Sequence, residues 1–344
     1  MYHVPRLNGW LKGQAVYPVY MEISPIGACN HRCTYCALDF MGYQPRFLDV
    51  NAFKNTLNEL GSLGVKSIMY AGEGEPFLHK DIAEIVNSTK VVGIDVAITT
   101  NAVLFNEYLA ENILENVSWI KVSINGATNR TYSKIHRTQP EDFDKVIKNM
   151  RYAARLRKNN KYNCTLGMQL ILLPENYKEV EPLSKIAKDI GMDYLVVKPY
   201  SQHPLSKTQK YRNIKYNKYL GLSEKLKKLN DKNFNVIFRL HTMKKWDESL
   251  RTYKHCLALP FWAYIDAGGN VWACSIYLTK KEFCLGNIYK NTFQQVWESE
   301  KRKKLLKWVE SKLDSDKCRI NCRMDEVNRY LWELKHPPAH VNFI

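Results

Sequence analysis

Three thiols near the start of the chain have the spacing of a metal site. They stand in Cys29-Asn-His-Arg-Cys33-Thr-Tyr-Cys36, three ligands within eight residues. Thiolates this close in sequence can take three corners of a [4Fe–4S] cube and leave the fourth iron open to bind a substrate. A zinc ion with His31 as its fourth ligand is the alternative reading of the same residues. The chain has nine cysteines in 344 residues, and its opening residues hold no uninterrupted apolar run, so the expected address is the cytoplasm. Thiols stay reduced there, which favours ligation over a disulfide framework.

Beyond the triad, Cys256, Cys274, Cys318 and Cys322 form a second group, with Cys256 separated by twelve residues from Gly269-x4-Cys274, and Cys318-x3-Cys322 downstream. Four thiols suit one further iron–sulfur cluster or a structural zinc ion, because both accept this ligand set. Seven ligands leave Cys164 and Cys284. Cys164 opens a predicted strand and reads as a small core hydrophobe. Cys284 lies among the elements of the second group.

Elements able to position these residues follow from periodicity. From Tyr17 to about Leu240, β-branched and aromatic runs alternate with stretches of helical period, the pattern of βα repetition and a parallel sheet. Strands are predicted over residues 19–23, 65–70, 96–100, 119–124, 165–172 and 194–198. Helices are predicted over 51–63, 81–90, 141–157 and 179–190. Six such units make an α/β fold, a partial (β/α)6 version of the TIM-type barrel. The first cysteines follow the first strand, at the end where such barrels carry their chemistry.

Past a lysine-rich helix near 216–229 and a strand at 235–240, the repetition stops. Around 262–275 two short strands flank Asp266-Ala267-Gly268-Gly269-Asn270, a hairpin signal. Helices near 293–310 and 324–334 bracket the loop with Cys318 and Cys322. The boundary is placed near His241, giving a core of residues 1–240 and a small α+β extension of residues 241–344.

The triad resembles the signature of the radical S-adenosylmethionine (SAM) superfamily, C-x3-C-x2-C with an aromatic residue, here Tyr35, before the last cysteine. Further segments carry the likeness. Ala71-Gly72-Glu73-Gly74-Glu75-Pro76 follows the second strand and is similar to the glycine-rich segment that contacts the SAM amino group. Thr99-Thr100-Asn101-Ala102 follows the third strand. Val122-Ser123-Ile124-Asn125-Gly126 resembles Ser-Ile-Asp-Gly, whose polar groups reach the SAM ribose, with Asn125 in place of the commoner Asp. Arg137 matches an arginine that pairs with the SAM carboxylate. The resemblance implies a [4Fe–4S] cluster on Cys29, Cys33 and Cys36, SAM held by Tyr35, Gly72, Glu73, Gly74, Glu75, Asn101, Ser123, Asn125 and Arg137, and reductive cleavage of SAM to a 5′-deoxyadenosyl radical. It also implies an external one-electron reductant such as flavodoxin or ferredoxin.

The second group resembles the opening of the SPASM and twitch extensions of that superfamily, which implies a second, auxiliary [4Fe–4S] cluster on Cys256, Cys274, Cys318 and Cys322. The spacing departs from the family, with C-x3-C in place of C-x2-C and no cysteine after Cys322, so one auxiliary cluster and a twitch-like extension are expected. Within this resemblance the expected substrate is a small carbohydrate-like molecule, a sugar, nucleotide sugar or aminocyclitol, that is epimerised or oxidised. Cys284 is then the candidate hydrogen-atom donor. The formal net charge of +17 suits an anionic substrate. A peptide-modifying enzyme is the alternative. A zinc-bearing nucleic-acid-binding protein is a third reading from another class, and it leaves the segments after strands two to four without a role; no membrane partner is expected.

Replacing Cys29, Cys33 and Cys36 together by alanine should abolish 5′-deoxyadenosine formation under reductant while about four irons per chain, one cube, remain on the second group. Iron and sulfide analysis with a 5′-deoxyadenosine assay checks both. Persistent cleavage refutes the first assignment, and stoichiometric zinc in place of iron refutes the second.

Overall fold

A computed structural model describes residues 3–248 and 251–343; the outermost residues of both expected domains and residues 249–250 lie outside the described residues. Seven strands follow one another in a parallel series: β1 (Tyr20–Ile23), β2 (Ser67–Tyr70), β3 (Asp95–Thr100), β4 (Trp119–Ser123), β5 (Thr165–Ile171), β6 (Tyr194–Lys198) and β7 (Asn235–Phe238). All six predicted strands are present, with ends shifted by a residue or two. The hairpin of the extension adds β8 (Trp262–Ile265), β9 (Asn270–Trp272) and β10 (Cys284–Asn287). One sheet holds all ten, in the order β10-β9-β8-β1-β2-β3-β4-β5-β6-β7. The extension is therefore continuous with the barrel, because β8 pairs in parallel with β1, Tyr20 opposite Trp262 and Ile23 opposite Ile265.

Residues on alternate sides of each strand explain how the sheet closes on a cavity. Met21, Ile23, Ile68, Val96, Ile98, Ile120, Val122, Leu195 and Val197 are buried in the main core. Each such side chain stabilises the fold by roughly 1.5–3 kcal/mol on burial. The opposite face is mixed. Met69, Ala71 and Ala97 form a small separate apolar cluster with Tyr20 and Trp119 beside it. Glu22, Thr99, Lys121, Gln169 and Lys198 line a cavity of about 260 Å³ together with Trp262 and Tyr264. One cavity bordered by β1 to β6 and β8 requires a curled sheet, the partial barrel expected from the repetition.

The hairpin turn is built by Asp266. One of its carboxylate oxygens accepts from the Gly268 and Asn270 N–H groups at 2.8 and 3.0 Å, and the other from Trp272 Nε1 at 2.8 Å. Two expectations need correction. The helix expected near 293–310 is two, Phe293–Trp297 and Glu300–Ser311, because Ser299 caps the second through Arg302 N. The lysine-rich helix near 216–229 shortens to Leu222–Lys227 after a 3₁₀ turn. The boundary near His241 falls inside the helix Leu240–Glu248.

Gly74 is the tightest backbone approach around the first cysteine loop: a Cβ there would stand 2.0 Å from Ala28 O and 2.6 Å from Ile26 O. Both neighbours are backbone, so no side chain can yield. Gly74→Ala is expected to cost about 1–3 kcal/mol, as overpacking does, and to displace the Cys29 loop. Thermal unfolding and iron content of the variant check this; wild-type values for both would refute it.

Candidate cluster and SAM site

The loop after β1 brings Cys29, Cys33 and Cys36 to the C-terminal end of the sheet, and neighbouring loops brace it. Glu75 is the central brace. Its carboxylate accepts from the Asn101 N–H at 2.7 Å, the Phe77 N–H at 3.2 Å and the Thr100 hydroxyl, while its own N–H donates to Ala28 O at 2.9 Å. Asn101 then reaches Asn30 through Nδ2 at 2.7 Å. The loops after β1, β2 and β3 thus form one hydrogen-bonded body. Burial pushes the carboxyls of Glu73 and Glu75 up to about 7; Arg46 partly offsets this for Glu73 with an ion pair at 2.7 Å. Gly72, at φ +117°, approaches Ser24 and Tyr264 so closely that a Cβ would meet the Tyr264 hydroxyl at 2.4 Å. Only glycine adopts this conformation in this space.

Behind the thiols lies a residue that sequence reasoning missed. His136 is buried, and Asn125 N–H donates to its Nε2 at 3.2 Å. An N–H group can only donate, so Nε2 accepts and the proton resides on Nδ1, which stands 3.5 Å from Cys33 Sγ. Burial, and then the neighbouring His31, hold this imidazole well below its ordinary pKa, in the neutral form. The signal available in the sequence was the Ile135-His136-Arg137 run, where attention fell on the arginine.

Asn125 ties this group to the next strand. Its Nδ2 donates to the Tyr35 hydroxyl at 2.7 Å and its Oδ1 accepts from Ile171 N–H at 2.7 Å. Its side chain is thereby committed to holding Tyr35 and β5. Ser123 ends β4 on the barrel side. Arg137 is exposed beside the loop in a left-handed conformation, φ 49°, and among the described residues its guanidinium has no ion pair, so it is free to meet an anion.

Among the described residues, the one trio of potential ligand atoms packed within 4.8 Å is His31, Cys33 and His136. His31 is buried, with Nε2 3.5 Å from Asp142. The zinc site of three cysteines and His31 is therefore not assembled. The donor set instead fits a larger group with one sulfur per corner. Burial raises the Cys29 thiol to about 12 and Cys33 and Cys36 above their ordinary values.

Cys256, Cys274, Cys318 and Cys322 all line the cavity described above, on its far side. Burial and then the neighbouring Cys322 raise the thiols of Cys256 and Cys274. A single zinc ion with Zn–S near 2.3 Å would hold its sulfurs about 3.8 Å apart, and no three of these four lie within 4.8 Å of one another. Asn328 Nδ2 donates to Cys256 Sγ at 3.5 Å, and the Tyr277 hydroxyl lies 3.4 Å from Cys318 Sγ.

Cys284 takes another position. It sits on the edge strand β10, 3.8 Å from Gly286 O, and is not among the residues lining the cavity. Cys164 is buried in the core.

Fold and site together define a barrel with one cysteine group in its cavity wall and a second cysteine loop that leads directly into the wall residues Ala37 and Leu38. Residues 23–187 match the family described as the radical SAM superfamily, and residues 256–323 match the SPASM family, described as an iron–sulfur cluster-binding domain. The chain belongs to the radical SAM superfamily and carries a C-terminal SPASM domain; its cofactors are a [4Fe–4S] cluster, an auxiliary cluster and SAM. It is 29% identical over 196 residues to the GTP 3′,8-cyclase of Chlorobaculum tepidum, covering 56% of this chain and 57% of that protein. The match thus spans little more than half the length of that relative. Among solved structures, SuiB of Streptococcus suis bound to the precursor peptide SuiA aligns with a TM-score of 0.66 and 18% identity over 88% of this chain and 70% of that one. The anSMEcpe structure with bound AdoMet and the Cp18Cys peptide aligns at 0.61 and 18% over 91% and 88%. No helix among the described residues is long and apolar enough to cross a membrane.

The Nδ1–H of His136 pointing at Cys33 should raise the reduction potential of the cluster by stabilising the more negative reduced form. A net hydrogen bond of about 1 kcal/mol corresponds to about 40 mV for one electron. His136→Phe, with its iron content unchanged, should lower the midpoint by about that amount in an EPR-monitored redox titration. An unchanged midpoint would remove His136 from this role.

Proposed function

We propose that the chain is a radical SAM maturase that modifies a peptide or protein substrate held between the two cysteine sites. The observation that carries the reading is the cavity itself, lined by barrel residues, by Ala37 and Leu38 just after the Cys29–Cys36 loop, and by the four cysteines of the extension. SAM bound at the first site supplies a hydrogen-abstracting radical. The chain's own residues position and shield it: Glu75 locks three loops, Tyr35 is fixed by Asn125, and the extension closes the barrel mouth through β8. SuiB bound to the precursor peptide SuiA and anSMEcpe bound to the Cp18Cys peptide align with this chain over 88% and 91% of its length, barrel and extension together.

The sugar or aminocyclitol substrate expected from the sequence rests on overall charge and on a single auxiliary site. Neither of these separates a sugar from a peptide. Epimerisation also loses its expected donor, since Cys284 lies off the cavity. A nucleotide substrate is the second reading, favoured by the similarity to GTP 3′,8-cyclase and by the lysines of the cavity wall.

Anaerobically reconstituted protein, SAM and reductant should be incubated with peptides encoded beside its gene, with GTP, and with nucleotide sugars. A peptide that stimulates 5′-deoxyadenosine formation and returns with altered mass supports the proposal. Stimulation by GTP or a nucleotide sugar alone overturns it.

A further inference from the structure

The cavity wall carries more positive charge than the fold balances. Lys121 on β4, Lys198 at the end of β6 and Arg319 in the loop between Cys318 and Cys322 all line it. Strand alternation forces the first two inward, because Ile120 and Val122 flank Lys121 and Val197 precedes Lys198, and all three apolar neighbours are fully buried in the main core. Glu22 is the single carboxylate among the lining residues, and it is already paired with Arg323 at 2.6 Å. Among the described residues no carboxylate pairs with Lys121, Lys198 or Arg319. What they have instead is neutral: Lys121 lies 5.0 Å from the Trp119 ring centroid, and Arg319 Nε donates to Ser201 Oγ at 2.8 Å.

Cations shielded from water are ordinarily paired, because desolvation without a counter-charge is costly. Here burial first, and then their cationic neighbours, push Lys121 down to about 8 and Lys198 well below the usual lysine value. Three cations on three separate elements therefore converge at a stability cost that Glu22 and, beside Arg319, Cys322 offset only in part. An anion would offset it. Thr99 and Gln169 stand in the same wall and offer a hydroxyl and an amide to the remaining oxygens.

We propose that Lys121, Lys198 and Arg319 form a subsite that binds an oxyanion of the substrate, a carboxylate or a phosphate, and so fix which part of the substrate faces the Cys29–Cys36 loop. The inference rests on the reading of this cavity as the substrate site. It adds to that reading a chemical class: a substrate with an acidic group at a set distance from the reacting atom.

The test uses reconstituted holoenzyme with saturating SAM, so that any anion bound is not the SAM carboxylate. Calorimetric titrations with glutarate and with inorganic pyrophosphate are compared for wild type, Lys198→Met and Lys121→Met, and for Lys244→Met as a control outside the cavity lining. The subsite predicts binding of at least one probe by wild type and by the control, weakened tenfold or more in both cavity variants. It also predicts that Lys198→Met melts no lower than wild type, since removing an unpaired shielded cation relieves desolvation, whereas loss of a structural lysine would lower the midpoint. No binding by wild type, or equal binding by the cavity variants, overturns the proposal. Selective pyrophosphate binding keeps the subsite and rejects the peptide reading; selective glutarate binding supports both.

Discussion

Parallel pairing on both sides of β1 is the constraint from which the rest follows. Tyr20, Met21, Glu22 and Ile23 each sit between one residue of β2 and one of β8. A strand hydrogen-bonded on both edges has no freedom to slide, and a slip of one residue would exchange its core and cavity faces. Met21 and Ile23 would then enter the cavity, and Glu22 would lose Arg323. Because the extension supplies one of these two neighbours, its cysteines are placed relative to the first cysteine loop by main-chain register. Two sites distant in sequence are thereby fixed around one space.

The same strand explains why the loop after β2 is glycine-rich. Gly72 passes between Ser24, just beyond β1, and Tyr264 of β8, and Gly74 lies on the backbone of Ala28. The loop is thus wedged against both neighbours of β1 and against the segment leading to Cys29. Glu75, at the end of the wedge, turns its carboxylate to the loop after β3. Burying that carboxylate is costly, and three hydrogen bonds from Thr100, Asn101 and Phe77 offset the cost. The brace holds the cysteine loop without any side chain having to reach the thiols.

The strands were readable in the sequence because they depend on local spacing. The alternation Trp-Ile-Lys-Val-Ser of β4 and the three-four steps of the helices survive folding unchanged. What was not legible depends on contacts between distant segments. Nothing in Phe293 to Glu310 announces that Ser299 would cap a new helix, since a serine inside a helical run is tolerated when it faces water. The parallel pairing of β8 with β1 joins residues more than two hundred positions apart, so the hairpin read as a separate module. His136 lies beside a more familiar arginine, and its role emerges only when Asn125 fixes its tautomer. Lys121 and Lys198 stand beside the apolar strand residues Ile120, Val122 and Val197. That pattern marks a strand with one face on a cavity, where fully buried parallel strands would be apolar throughout.

The distinction between surface and interior charge resolves the surplus of cations. Many lysines sit on wet helices beside acids, such as Lys188 with Asp231, Lys225 with Glu181 and Lys303 with Glu300. Exposed pairs of this kind are worth about 0–1 kcal/mol, and a solvated lysine carries little information about function. A net charge summed over the chain therefore mixes many uninformative cations with a few whose position costs stability. Inside the barrel the half-buried Lys121 and Lys198 repel one another, and sequence changes that swapped either for a neutral residue would relieve that repulsion. Their presence on adjacent walls, with Glu22 already occupied by Arg323, is thus the feature of the charge distribution that points to a ligand, where the total of +17 does not.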